Sequence, residues 1–312
     1  MIIKTSARQL SDGYLDCTPW FQYVLLSICF PMWGMAASLN DILITQFKSI
    51  FTLSDFASAF VQSAFYGGYF LIAIPASRVI RRWSYKVGIL IGLVCYIGGC
   101  TLFFPASHMA TYGVFLMALF AIAVGLSFLE TSCNTYSSMI GPKESSTLRL
   151  NISQTFTPVG FLSGILLGKY LIFTEGEALH RQMETLDGAG KQQLAAEMLQ
   201  RTLQPYQFII MVLVVLLVIV AITQFPRCKP LDKEEHETKA TIGETLRYLA
   251  CNSRFRFGIM AQFFYVGMQT AVWSFTIRLA LQMDAGLNER AAANYVIYAL
   301  QLAFSVSLVC FV

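Results

Sequence analysis

Residues 20–47 read WFQYVLLSICFPMWGMAASLNDILITQF, an apolar run that is long enough to enter a lipid bilayer. Near its end stands Asp41, a carboxylate that costs several kcal/mol at membrane depth unless it is paired, protonated or facing water. Ser38 and Thr45 share the helical face of Asp41, and Asn40 is adjacent to it. This cluster predicts that Asp41 faces a water-filled cavity in which it can be neutral.

The composition is that of a membrane protein. Of the 312 residues, 56% are hydrophobic and only 13% are charged, whereas soluble globular chains carry about 25% charged residues. The net charge of +4 is spread over the polar stretches between apolar runs. Because binding to phosphates needs a basic patch or stripe, we predict no nucleic-acid partner. The partner predicted by the composition is the lipid bilayer.

Apolar windows of spanning length recur along the whole chain, which predicts an all-α integral membrane fold. We predict eight hydrophobic segments, at Trp20–Phe47, Phe56–Ile80, Tyr85–Phe104, Tyr112–Tyr136, Leu150–Phe173, Tyr206–Phe225, Phe257–Leu281 and Ala292–Val312.

The connecting loops predict the orientation of these segments. Lys and Arg concentrate in SRVIRRWSYK between segments two and three, in GPKESSTLR between four and five, and in the long linker between six and seven. Basic loops stay on the cytoplasmic side, so the N-terminus is predicted to be cytoplasmic. The first 19 residues are polar and do not resemble a cleavable signal.

The same pattern predicts the domain organisation. A cytoplasmic tail covers residues 1–19, a six-helix bundle covers 20–226, a cytoplasmic linker covers 227–256, and 257–312 form about two helices of a second bundle. Residues 174–204 are predicted to be an outer-side loop that contains short amphipathic helices. A charged linker after six helices is typical of transporters that join two halves.

A second acidic residue, Glu130, lies within the fourth segment. Ser127 and Asn134 share its helical face, so its surroundings resemble those of Asp41. A carboxyl group in a poorly hydrated cavity can take up and release a proton, and it can thereby couple ion movement to a conformational change. The alternative is that both acids lie near helix ends and reach water there.

Polar side chains in two other segments predict a substrate site. Segment five carries Gln154 and Thr157, and segment seven carries Gln262, Tyr265 and Gln269 on one face. Amides beside an aromatic ring suit a sugar, whose hydroxyl groups need hydrogen bonds and whose C–H faces stack on rings. Hydrogen bonding between membrane helices would explain each of these residues equally well.

The cysteines and histidines predict no metal site and no cofactor. None of the eight cysteines is in a C-x-x-C pair, and their apolar surroundings predict packing roles. The three histidines are predicted to lie in loops. A membrane-embedded enzyme would need a nucleophile–base pair or a metal set such as His-Glu-x-x-His, so we predict that the chain is not an enzyme. A sugar sensor would need a signalling domain, for which the sequence gives no sign.

Several motifs occur in a fixed order along the chain. They are NDILITQF, FTLSDFASAFVQSAFYGGYFLIAIPAS, SYKVGILIGL, LETSCN, GPKESSTLRLNISQTF and AQFFYVGMQTAVWS. From Phe21 to Tyr295 this order resembles the L-fucose permeases in the fucose–galactose–glucose branch of the major facilitator superfamily. The resemblance implies a fold of two six-helix bundles around a central cavity. It also implies a monomer in the bacterial inner membrane. The implied activity is sugar–proton symport by alternating access.

The resemblance also implies roles for single residues. Asp41 matches the proton-accepting aspartate of the first helix, and Glu130 matches a glutamate that contributes to sugar binding and coupling. Gln154 falls within the family's A-Q-T-F segment, which reads SQTF here. SRVIRRWSYK matches the loop that gates the closed state, although the acidic residue usual in that loop is missing.

Three departures from the family bear on these expectations. Ser38 and Thr157 stand where the family has asparagine, so the sugar could be another hexose, such as galactose or glucose. After Tyr295 the family continues through a Gly-Arg-Phe element and further helices, whereas this sequence reads VIYALQLAFSVSLVCFV. We therefore expect a permease truncated in its second half, with a non-functional remnant as an alternative.

Overall fold

The computed structural model describes residues 7–50, 55–109, 112–172, 188–228, 242–284, 286–287 and 291–299. These residues are almost entirely helical, and an isolated β-bridge joins Gln9 to Leu15. The α-helices are α1 (Trp20–Ser27), α2 (Cys29–Ile50), α3 (Asp55–Arg82), α4 (Tyr85–Met109), α5 (Tyr112–Met139), α6 (Ser146–Leu167), α7 (Gly188–Ile222), α8 (Ile242–Cys251), α9 (Ser253–Met283) and α10 (291–299).

The all-α prediction is confirmed, and five described stretches are long and apolar enough to cross a membrane. They are Trp20–Asn40, Tyr85–Ala106, Tyr112–Met139, Lys143–Tyr170 and Leu203–Ile222. The described residues up to Cys228 form one compact unit, and those from Ile242 to 299 form a second.

The first predicted segment is two helices rather than one. A break at Ile28 separates α1 from α2. Pro31 has no backbone N–H to donate to the carbonyl group of Ser27, so the regular hydrogen-bond ladder cannot continue through this point. The break lies almost three turns before Ser38, on the segment that carries Asp41.

Other boundaries differ from the predicted ones. The predicted hydrophobic segment Tyr206–Phe225 agrees with the apolar span Leu203–Ile222, but the helix that contains it, α7, begins earlier, at Gly188, and continues through Pro205. The apolar residues at helical spacing in KQQLAAEMLQRTL thus belong to this 35-residue helix. His108, predicted in a loop, lies in the last turn of α4. His180, His236, residues 174–187 and the end of the eighth segment lie outside the described residues.

The helices of the first unit pack in pairs. α4 lies along α5, α2 along α6 and α3 along α5, while α7 contacts α4. Glycines allow the closest approaches. A Cβ atom added at Gly92 of α4 would lie 2.8 Å from the carbonyl oxygen of Gly125 in α5. One added at Gly160 of α6 would overlap the carbonyl oxygen of Pro31 in α2. Small residues at these points let the backbones touch.

A buried hydrogen-bond network joins α1, α5 and α6. The hydroxyl of Ser153 in α6 lies 2.7 Å from that of Ser137 in α5. It also lies 3.2 Å from the hydroxyl of Ser27 and 3.3 Å from that of Tyr23, both in α1. Tyr23 donates to the backbone carbonyl of Arg149 at 2.7 Å. Ser153 is fully buried, so these partners replace the water that its hydroxyl would otherwise bind.

Arg149 extends this network to the end of α5. Its guanidinium donates to the carbonyl groups of Ser137 at 3.3 Å and Ser138 at 2.6 Å. It also donates to the carbonyl of Pro142 at 2.8 Å and to the hydroxyl of Ser145 at 2.7 Å. The carbonyl groups at a helix C-terminus lack intrahelical partners and carry partial negative charge. Arg149 therefore caps α5 and fixes α6 against it.

Three helices also hold the segment that follows α7. Lys86 at the start of α4 donates to the carbonyl groups of Ala221 and Thr223, both at 2.8 Å. The hydroxyl of Tyr136 in α5 donates to the carbonyl of Pro226 at 2.7 Å. The amide of Gln22 in α1 donates to the carbonyl of Gln224 at 3.3 Å. The chain from Thr223 to Cys228 is thus bound to the same end of the bundle as Arg149.

The contact between Gly160 and Pro31 predicts a packing defect when a methyl group is added. We expect Gly160→Ala to lower the stability of the first unit by about 1–3 kcal/mol, because helix α6 must move away from α2. The measurement is thermal unfolding of the chain in detergent, followed by tryptophan fluorescence.

Gly98→Ala is the matched control for this substitution. Gly98 is also within a helix, and a Cβ atom added there meets nothing within 4 Å. Since alanine is the better helix former, the control should be as stable as the original chain or slightly more stable. Equal melting temperatures for the two variants would contradict the close approach of α2 and α6.

The network predicts a second stability difference. Ser153→Ala removes a hydroxyl shared by three neighbours, each of which keeps one other hydrogen bond. The loss of the shared buried hydrogen bonds costs about 1–3 kcal/mol in total. Ser163→Ala is the matched control on the same helix, because the hydroxyl of Ser163 bonds only to the carbonyl of Gly160 one turn earlier. Thermal unfolding should show a clear loss for the first variant and almost none for the second. A similar loss for both would contradict the network.

Candidate functional site

The candidate site consists of polar side chains on α2, α5 and α6, next to the network of Ser153. Helix α2 carries Ser38, Asn40 and Asp41, helix α5 carries Glu130 and Asn134, and helix α6 carries Gln154 and Thr157. Asp41 belongs to α2, but its side chain and that of Thr45 lie outside the described ones.

Glu130 lies in a narrow crevice between α2 and α5. Its other lining residues are Cys29, Phe30, Trp33, Leu129 and Cys133. The crevice is too narrow in this structure to admit a water molecule, so it cannot hold a sugar in this conformation. Glu130 is also close enough to Tyr69 of α3 for the two side chains to interact electrostatically.

Asn134 and Gln154 form a direct pair. The side-chain amide of Gln154 donates to Oδ1 of Asn134 at 2.7 Å. Asn134 stands one turn after Glu130 on α5, and Gln154 follows Ser153 on α6. The network around Ser153 thus sets the spacing of the two helices at the level where this pair forms. Both residues were predicted from the sequence, and the structure brings them together.

Two predicted site residues, Asn40 and Thr157, carry buried polar atoms that are unsatisfied within the described part of the chain. The amide nitrogen and oxygen of Asn40 and the hydroxyl of Thr157 make no hydrogen bond to any described residue. A buried polar group without a partner costs about 1–3 kcal/mol. Such groups in a native protein require a reason, and a ligand with hydroxyl groups or bound water would supply the missing bonds.

Ser38 is placed differently from Asn40. Its hydroxyl donates to the carbonyl of Met35 in its own helix at 3.0 Å, and it contacts Gly164 of α6. Only 1% of Ser38 is exposed. In this structure Ser38 fills the contact between α2 and α6, where a larger side chain would meet the backbone of α6.

The predicted residues of segment seven belong to the second unit. Gln262, Tyr265 and Gln269 lie on α9. Gln262 and Tyr265 are exposed and Gln269 is half-buried within that unit. Their predicted role in substrate binding stays a prediction.

Sequence reasoning missed the two thiols in the crevice. Cys29 and Cys133 are far apart in the chain, and each was assigned only a packing role. The single signal that points to Cys133 is its position three residues after Glu130, on the same helical face. The described residues contain no group of three or more side chains that could hold a metal ion together.

Comparison with known proteins agrees with this arrangement. The chain is 37% identical over 276 residues to the L-fucose-proton symporter of Escherichia coli strain K12, an alignment that covers 88% of this chain and 62% of that protein. It is 32% identical over 279 residues to a glucose/galactose transporter of Brucella abortus, covering 89% of this chain and 63% of that protein. The chain thus spans less than two thirds of the length of these relatives.

A solved structure has the same helical arrangement. It is the crystal structure of a Major Facilitator Superfamily transporter, FucP, in the outward conformation, with a TM-score of 0.76 and 34% sequence identity. The superposition covers 92% of this chain and 70% of that one. The sequence profile of the Major Facilitator Superfamily matches residues 23–312. Nearly all of the chain is covered by that profile, and the chain belongs to the Major Facilitator Superfamily.

Proposed function

We propose that this protein is a proton-coupled sugar transporter that takes up L-fucose or a related hexose by alternating access. The observation that carries the proposal is the set of buried polar groups without protein partners, Asn40 and Thr157, in the same bundle as the membrane-embedded acids Asp41 and Glu130. Similarity to the L-fucose-proton symporter of E. coli supports the choice of sugar and ion.

Sugar binding would use the amides and hydroxyls of the first unit. Asn40 offers both a donor and an acceptor, and Thr157 offers a hydroxyl. The bond between Gln154 and Asn134 uses one of the four amide hydrogens of the pair, so the other three and further lone pairs could serve sugar hydroxyls. Trp33, in the crevice beside Glu130, presents a ring on which the C–H face of a sugar can stack. Gln262, Tyr265 and Gln269 of α9 would contribute from the second unit.

Proton coupling would depend on the two carboxyl groups. A charged carboxylate is costly at membrane depth, so protonation from the outer side favours the loaded carrier. Release of the proton inside would weaken sugar binding and let the sugar leave. Coupling requires that protonated and sugar-bound forms stabilise one another, and this mutual effect is reciprocal by thermodynamic necessity.

The proposal includes an orientation. The basic residues at the end of α3 and the start of α4, together with Lys143 and Arg149, would face the cytoplasm of a bacterium, and so would the N-terminus. The protein would work as a monomer in the inner membrane, with its first bundle at 20–226 and a linker at 227–256.

A second candidate substrate is glucose or galactose. It is favoured by the similarity to the B. abortus glucose/galactose transporter and by Thr157, which carries a hydroxyl where the L-fucose permeases carry an amide. Competition decides between the two. Uptake of labelled L-fucose is measured with an excess of each unlabelled sugar. If L-fucose is the substrate, unlabelled L-fucose should suppress this uptake most; stronger suppression by D-galactose or D-glucose would favour the second candidate.

The test of coupling is uptake of labelled L-fucose by cells that lack their own L-fucose transporter. The chain is expressed alone and as a chimera in which the E. coli relative supplies the part beyond the aligned region. We expect accumulation that an outwardly acid pH gradient increases and an uncoupler abolishes. Asp41→Asn should abolish accumulation but keep sugar exchange, because asparagine resembles the protonated acid. Glu130→Gln should reduce apparent sugar affinity on the order of tenfold or more.

Glu144→Gln is the matched control, because Glu144 is an exposed acid outside the site. It should transport like the unchanged protein. Proton-driven accumulation that survives Asp41→Asn at full level would overturn the coupling role. An absence of any sugar uptake or binding in both forms of the protein would overturn the proposed function.

A further inference from the structure

The crevice beside Glu130 contains two thiol groups that come from different helices. Cys29 is the first residue of α2, directly after the break at Ile28, and Cys133 lies one turn after Glu130 on α5. Both line the crevice together with Glu130. The proposed transport mechanism uses neither of them.

The two thiols are neighbours in the protein interior. Both line the same six-residue crevice, and the Sγ of Cys29 donates to the carbonyl oxygen of Leu25 at 3.9 Å. Cys29 is 2% exposed and Cys133 is 3% exposed. The rest of the wall is apolar apart from Glu130, since it consists of Phe30, Trp33 and Leu129.

We propose that Cys29 and Cys133 form a binding site for thiophilic metal ions that accept two ligands, and that an ion bound there inhibits transport. Thiolate sulfur is a soft ligand that selects soft ions. Because no third metal-ligating side chain joins them among the described residues, the pair cannot complete the tetrahedral shell that Zn²⁺ prefers. Ions that bind two sulfurs in a line need no third ligand.

Charge selects among such ions. When Hg²⁺ binds, each thiol gives up its proton to solvent and each sulfur forms one bond to mercury, so two protons leave and a neutral bis-thiolate complex remains. Silver(I) or copper(I) between two thiolates would leave one negative charge in the crevice. Burying that charge among Phe30, Trp33 and Leu129 is unfavourable, so Hg²⁺ is the preferred ion.

Inhibition would follow from the position of the site, and this part rests on the proposed function. A mercury bridge would connect α2 to α5 and hold the two helices closed beside the carboxyl group of Glu130. Sugar and proton could then no longer reach Glu130 from the crevice. The break at Ile28, next to Cys29, would be fixed in one geometry at the same time.

The binding test uses the purified chain in detergent with one equivalent of HgCl₂. In one background the other cysteines, Cys17, Cys95, Cys100, Cys228, Cys251 and Cys310, are replaced by alanine. Native mass spectrometry should show one mercury per chain with the loss of two protons. In the matched control background only Cys95 and Cys100 remain; these lie five residues apart on α4 and face different sides, so one proton should be lost.

Single variants locate the bridge. In the first background, Cys29→Ala and Cys133→Ala should each lose one proton and release mercury to a monothiol competitor about a hundredfold more readily, because the second sulfur is gone. Zn²⁺ should not bind. Equal retention of mercury by either single variant, or Zn²⁺ binding of equal strength, would overturn the site.

Two further measurements keep the proposal testable. If the alanine background does not fold, the unchanged chain is treated with HgCl₂ and digested, and a mercury-linked pair of peptides containing Cys29 and Cys133 is expected; its absence overturns the site.

In sugar uptake, HgCl₂ should inhibit the two-thiol background and spare both single variants. Uptake that continues with mercury bound overturns the inhibition. Uptake missing from every variant overturns the proposed function, and the mass measurement still decides the site.

Discussion

The structure depends on one constraint: polar groups inside a membrane protein must find their partners within the protein. Ser153 meets this constraint by touching three hydroxyls on two neighbouring helices. Arg149 meets it by giving its donors to four oxygens at the end of α5. These bonds are made where bulk water is scarce, so they fix the helices of the first unit in a single arrangement.

The same constraint separates polar groups that form hydrogen bonds within the described structure from those that do not. Ser38 and Ser153 both use their hydroxyls within the protein, and replacing either would disturb packing or a hydrogen bond. The amide of Asn40 and the hydroxyl of Thr157 are also buried, but they make no hydrogen bond to any described residue. The difference is visible only in three dimensions, because serine, threonine and asparagine in an apolar segment look alike in the sequence.

The sequence allowed the membrane class, the helical fold and most helix centres to be predicted, because each depends on the length and polarity of a continuous run. It did not allow the true start of α7 to be predicted. The helix continues through a polar stretch and through Pro205, where composition indicates a loop. Asn134 and Gln154 could each be singled out from the sequence as polar residues in apolar segments. Their contact could not be predicted, because it depends on how α5 and α6 cross. Cys29 and Cys133 were missed for the same reason, since no local pattern connects them.

The segment from Thr223 to Cys228 has a mechanical consequence. Lys86, Tyr136 and Gln22 hold its carbonyl groups, and these residues stand on α4, α5 and α1. A tension applied to the chain at Cys228 is therefore not borne by α7 alone. It is shared among four helices at once, so the bundle responds to such a load as one stiff body, and α7 is protected from being unwound from its end.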